Sequence, residues 1–118
     1  MIIQIEIPDG EPEVERVMRA LITTKGTLST GEAALMLNVG AKWFPRKWKR
    51  LYGRSFRDAK NAIRLEYAQA ALLKGRSVSQ IAMDLGYDDL WCTSFSRWFK
   101  RHRGMRPSDL YKQTTYLV

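Results

Sequence analysis

The sequence SVSQIAMDLGYDDLWCTSFSRWFKRHRG, Ser77–Gly104, reads as two helices meeting at a tight turn. Ser77 stands three residues before Gln80, the spacing at which a serine hydroxyl caps a helix and the later side chain reaches back to the cap. Ile81, Ala82 and Leu85 recur at helical spacing, and Gly86 offers a left-handed stop. A longer helix is predicted from about Asp89 to Arg103, ended by Gly104. With Phe95 pointing inward, Phe99 and His102 share its face. Thr93, Arg97 and Lys100 then point outward, with Arg101 at the flank.

The same unit occurs earlier in the chain. Ser29–Asn38 (STGEAALMLN) matches Ser77–Gly86 at an offset of 48, and Phe44–Gly53 (FPRKWKRLYG) matches Phe95–Gly104 (FSRWFKRHRG) at an offset of 51. Phe, Arg, Lys, Arg and Gly coincide in the second pair. Ser29 with Glu32 forms a capping box, and Asn38 tolerates the left-handed stop. A helix is expected from about Ala41 to Tyr52. With Phe44 inward, Trp48 and Leu51 lie on its face, Lys42, Arg46 and Lys49 point outward, and Arg50 is at the flank. An isolated basic run is as readily a solvated face as a ligand surface. Two outward sets in corresponding places fit a pair of helix-turn-helix units whose second helices enter the DNA major groove.

The rest of the chain is also helical in pattern. IIQIEI (residues 2–7) could make a short extended arm before Pro8. Pro12 suits a first helical position, Val14, Val17, Met18, Leu21 and Ile22 follow at helical spacing, and Gly26 is the stop. Ser55 with Asp58 opens a long helix carrying Phe56, Ala59, Ile63, Ala70 and Leu73, and Gly75 ends it. Pro107 and Ser108 begin a last turn. No central sheet is read, so the fold class is all-α with short connections.

The 118 residues suit a small globular protein, with 45% hydrophobic residues for a core and a net charge of +8. The charge is uneven. Residues 1–40 hold three basic and six acidic groups, whereas residues 41–118 hold 17 and six. Lys42–Arg64 alone holds nine cations and one anion, Asp58. Such fields attract polyanions. One Cys and one His exclude a disulfide framework and argue against a zinc site. No apolar run approaches the ~20 residues of a membrane helix, and the acidic start lacks a secretory pattern, so a cytoplasmic protein without membrane association is expected. No nucleophile–base–acid set and no phosphate-cradling glycine loop appears. The expectation is therefore no enzyme, no cofactor and no metal.

Three segments together resemble the AraC/XylS family of bacterial transcription regulators: RLEYAQAALL (Arg64–Leu73), SVSQIAMDLGY (Ser77–Tyr87) and FSRWFKRHRGMRPSDLY (Phe95–Tyr111). The resemblance spans about residues 28 to 112. It implies two helix-turn-helix subdomains joined by a long linker helix, with recognition helices in successive major grooves on one face of the DNA. Grooves on one face are ~34 Å apart. On this reading residues 1–27 form an arm and first helix, 28–54 the first helix-turn-helix, 55–75 the linker helix, and 76–118 the second helix-turn-helix with a C-terminal helix. About 27 residues precede the resembling region, too few for the separate sensing or dimerisation domain the family often carries, so the expectation is either a stand-alone regulator, which the starting Met and the natural-looking arm favour, or a fragment of a longer protein. The sequence departs from the family at Pro45, which requires a helix start delayed to near Lys42 or a kink. It departs again between Gly86 and Phe95, about two residues longer than usual, and at Asn38, where the turn glycine is usual.

Residue roles follow from chemistry. Lys42, Arg46, Thr93 and Arg97 are the candidates for reading bases, since Arg can grip guanine O6 and N7 together. Lys49, Arg50, Ser94, Lys100 and Arg101 are candidates for the sugar–phosphate backbone. Trp43 and Trp91 are further candidate DNA contacts. Trp48, Trp98 and Phe99 are assigned to the core, Tyr67 and Tyr111 to interhelical packing, His102 to an inward structural position, and Met18, Met36, Met83 and Met105 to core or edge filling. The function expected is sequence-specific binding of double-stranded DNA by a transcription activator, as a monomer or weak homodimer, with RNA polymerase as a second partner. The alternative is a protein-interaction module that docks RNA polymerase or a partner regulator through the acidic first helix (Glu11, Glu13, Glu15) and binds DNA weakly.

Overall fold

A computed structural model describes residues 12–88 and 93–110, and these are helices and their connections with no strand. In order they are α1 (Pro12–Thr23), α2 (Thr30–Met36), α3 (Phe44–Tyr52), α4 (Phe56–Leu73), α5 (Val78–Asp84) and α6 (Thr93–Arg103), followed by a helical turn over 107–110. The expected arm, Glu11, Asp89, Leu90, Trp91, Cys92 and Tyr111 lie outside the described residues. The chain divides into two compact units at Arg64/Leu65, inside α4.

The two helix-turn-helix units repeat in hydrogen bonds as well as in letters. Ser29 Oγ accepts from the Glu32 N–H (3.1 Å), and a Glu32 carboxylate oxygen accepts from the Ser29 N–H (3.1 Å). That backbone bond holds the Glu32 carboxyl below its ordinary range. Ser77 Oγ accepts from the Gln80 N–H (3.2 Å), but the Gln80 side chain makes no return bond to the Ser77 N–H, so this cap is one-sided where the one at α2 is a full box. Each short helix ends in a left-handed residue, Asn38 (φ 53) or Gly86 (φ 86). At α2 the Asn38 and Val39 N–H groups donate to Leu35 O and Ala34 O; at α5 the Gly86 and Tyr87 N–H groups donate to Met83 O and Ala82 O. Both are Schellman closures. Asn38 therefore substitutes for glycine without altering the turn.

In the first unit α1, α2 and α3 close on one another and on the start of α4. The core holds Val14, Val17, Met18, Leu21, Ala33, Leu37, Phe44, Trp48, Phe56 and Ile63. Phe44 and Trp48 meet the Phe56 ring edge-on, at 5.0 and 5.5 Å between centroids. The second core holds Tyr67, Ala71 and Leu72 of α4 with Ile81, Ala82, Leu85, Phe95, Phe99 and Leu110. Here Phe95 touches Phe99 and Tyr87, at 5.9 and 5.7 Å. Trp98 and Met105 border this core, and Met36 borders the first, as their apolar character suggests.

Three expectations need correction. α3 starts at Phe44, later than Ala41 or Lys42, because residues 41–43 form a turn that leaves Pro45 in the first helical turn, where its missing N–H costs nothing. His102 is exposed: its angle on α6 is inward, but it lies in the last turn and rests on the Trp98 ring (5.0 Å). Met83 is 73% exposed and fills no core; the apolar stripe of α5 is Ile81 and Ala82.

Among the described residues, Gly26 is the one glycine where a close approach and a left-handed backbone coincide. Its φ is +80, and an added Cβ would sit 2.4 Å from Arg64 Cγ and 3.1 Å from the Lys60 carbonyl oxygen. Gly26→Ala is expected to destabilise the first unit by about 1–3 kcal/mol. Thermal denaturation checks this, and an unchanged midpoint would refute it.

Candidate nucleic-acid interface

Each unit displays one basic helix whose buried and exposed faces are set by aromatic spacing. On α3, Phe44 and Trp48 are fully buried, which turns Arg46, Lys49 and Arg50 outward. All three are exposed, and so are Lys42 and Trp43 in the turn before them. That turn is held by the Trp43 and Phe44 N–H groups, which both donate to the Gly40 carbonyl (2.9 and 3.1 Å). Trp43 is 56% exposed, and two cations lie near its ring. Lys42 Nζ is 5.4 Å and Arg46 Cζ 5.9 Å from the ring centroid. Such contacts attract modestly and leave the cation heads in water. The head of α3 thus offers an apolar ring suited to a thymine methyl or a sugar, beside a guanidinium suited to guanine.

Lys47 differs from the other α3 cations. It points to α1 and pairs with Glu13 at 3.2 Å, with its side chain only 28% exposed. The sequence pattern assigns Lys47 no role, because its partner is remote in the chain. Glu15, the second acid on α1, pairs with Arg19 at 2.6 Å. Both described acids of the alternative docking surface are therefore already engaged with cations of this chain.

On α6, Phe95 and Phe99 are fully buried, and Thr93, Ser94, Arg97, Lys100 and Arg101 are all exposed. Arg97 stands two residues after Phe95, as Arg46 does after Phe44. Lys100 and Arg101 match Lys49 and Arg50 in the same way. Both helices end with glycines in the left-handed region, Gly53 (φ 88) and Gly104 (φ 85), and with basic residues in the last turn. Cations there favour the negative end of the helix dipole. Each helix is also free of acidic side chains along its whole length.

The geometry is that of a duplicated helix-turn-helix with a cationic second helix in each copy. The helix-turn-helix domain family matches residues 33–113. No curated protein matches the chain. Among solved structures, the C-terminal domain of AraT, a response regulator from Geobacillus stearothermophilus, is similar at 28% identity and a TM-score of 0.75, over 90% of this chain and 88% of that one. A probable AraC family transcriptional regulator from Rhodopseudomonas palustris CGA009 shares the fold at 18% identity and a TM-score of 0.68, over 87% of this chain and 97% of that one. No helix among the described residues is long and apolar enough to cross a membrane.

Proposed function

The chain belongs to the AraC-type helix-turn-helix domain family of DNA-binding transcription regulators, and on that premise we propose that it reads a specific double-stranded sequence with α3 and α6 in successive major grooves. The observation that carries the reading is the matched outward placement of Arg46 and Arg97 on two basic helices with buried aromatic faces. In this reading Lys42, Arg46, Thr93 and Arg97 read bases, with Trp43 against a thymine methyl or sugar. Lys49, Arg50, Ser94, Lys100 and Arg101 hold the backbone. One chain supplies both recognition helices, so a monomer suffices for an asymmetric site. Selection from a random duplex pool, followed by competition with random duplex at physiological salt, tests it. A preferred duplex protected over two adjacent turns is expected. No preference would return the protein-interaction alternative.

The backbone assignment makes a separate prediction. Lys49→Ala or Lys100→Ala should weaken selected and random duplexes alike and reduce the salt slope by about 0.9 for each phosphate left without its cation. An unchanged slope would remove these residues from the interface. Glu13→Gln should do the reverse, since it releases Lys47. The pair is partly exposed, so breaking it should cost under about 1 kcal/mol of stability. Affinity for any duplex should rise and the slope steepen. A titration in which Glu13→Gln binds no better than the parent would show that Lys47 cannot reach phosphate.

A further inference from the structure

Asp84, the last residue of α5, gathers donors from two other parts of the second unit. The Tyr67 hydroxyl, from α4, donates to Asp84 Oδ2. Arg76, from the α4–α5 connection, donates through Nε to Oδ2 (2.7 Å) and through Nη2 to Oδ1 (3.1 Å), a bidentate pair. Arg76 immediately precedes Ser77, the N-cap of α5. The network therefore ties the two ends of α5 together and fastens both to α4. A seven-residue helix has little stability of its own and takes its orientation from what it is attached to. The turn at Gly86 leaves directly from the fastened end toward α6.

The first unit is built differently at this point. The residue 48 positions earlier is Met36, which lies half-buried against the first core. Arg16 Nη2 donates to the Met36 backbone carbonyl (3.2 Å), where no side-chain charge takes part on the α2 side. The repeat that matches so closely at its caps and turns thus replaces an apolar anchor with an ionic one. Burial, then the Asp84 carboxylate, pushes the Tyr67 phenol up to about 12, so the hydroxyl remains a donor throughout the physiological range. The Asp84 hydrogen bond likewise raises Arg76 above its ordinary value.

We infer that Asp84 is a positioning residue for DNA binding by the second unit, aiming α6 through the Tyr67–Asp84–Arg76 network. The inference rests on the reading of α6 as a groove-binding helix.

The probe is the duplex selected by the intact chain, with a random duplex as control. Asp84→Asn keeps the shape and removes the charge. At a temperature where circular dichroism shows parent and variant equally helical, Asp84→Asn should bind the selected duplex about tenfold more weakly. Hydroxyl-radical protection should weaken over one half of the footprint, the half in which Arg97→Ala changes recognition, and persist over the other. Random-duplex binding should stay within about twofold, because the exposed cations remain. Tyr67→Phe deletes one hydroxyl and should shift affinity in the same direction by about threefold. If Asp84→Asn loses helical signal at every usable temperature, Tyr67→Phe decides alone. Unchanged affinity in a folded variant with a lowered melting temperature, or a weakening spread evenly across the footprint, would overturn the inference and reduce the network to a structural brace. A parent chain that selects no duplex would overturn the functional reading and this inference with it.

Discussion

Replacing Trp48 by alanine is expected to lower stability by about 3–5 kcal/mol, the cost of emptying a large aromatic site in a closed core. Trp48 is fully buried and lies against Phe44 (5.9 Å), Tyr52 (5.1 Å) and Phe56 (5.5 Å). Its ring joins α3 to the start of α4, so the substitution removes packing that holds the recognition helix in place. Small domains are stable by only about 5–15 kcal/mol, and the change would take a large share of that. A fall of about 12 °C or more in the melting temperature should follow. Trp48→Phe should cost much less. The Trp48 Nε1–H meets no acceptor among the described residues, so phenylalanine removes a buried unpaired donor along with part of the ring. Equal destabilisation by Trp48→Ala and Trp48→Phe would mean that the indole is anchored by its nitrogen and not by its volume.

Arg97→Ala and Arg46→Ala should leave the melting temperature almost unchanged, because both side chains point away from the buried faces and neither belongs to a core. Their effect should fall on recognition. Each is expected to cost about 1–3 kcal/mol on the selected duplex, roughly five- to 150-fold in affinity, and to relax the preference at one G·C pair. Random duplex should suffer far less, since it offers the guanidinium only phosphate. Equal weakening on selected and random duplex would assign both arginines to the backbone. The two substitutions should also differ in place, with changes in opposite halves of the footprint. Arg46 carries an extra consequence. Its contact with the Trp43 ring (5.9 Å) ends with the substitution, so Trp43→Ala and Arg46→Ala should combine non-additively.

Much of this architecture is legible in the chain because the signals are local. A serine three residues before Glu32 or Gln80, an apolar triplet, and a residue able to turn left-handed specify a short helix and its stop within ten positions. The capping bonds at Ser29 and Ser77 and the closures at Asn38 and Gly86 are where those letters place them. The inward Phe44, Trp48, Phe95 and Phe99, and the outward Arg46 and Arg97, follow from helical angle in the same way.

Angle alone does not say how far along a helix its neighbours extend. His102 has an inward angle and Met83 an apolar side chain, yet both are exposed; His102 sits in the last turn of α6 and Met83 off the buried stripe of α5. Nor does it say which remote side chain arrives opposite. Lys47 meets Glu13, and Asp84 meets Tyr67 and Arg76, only after the chain has folded back. Caps, turns and buried faces depend on neighbours within a few residues and can be read in one pass. Ion pairs and the ends of cores depend on contacts between distant segments, which arise from packing and leave no periodic trace in the letters.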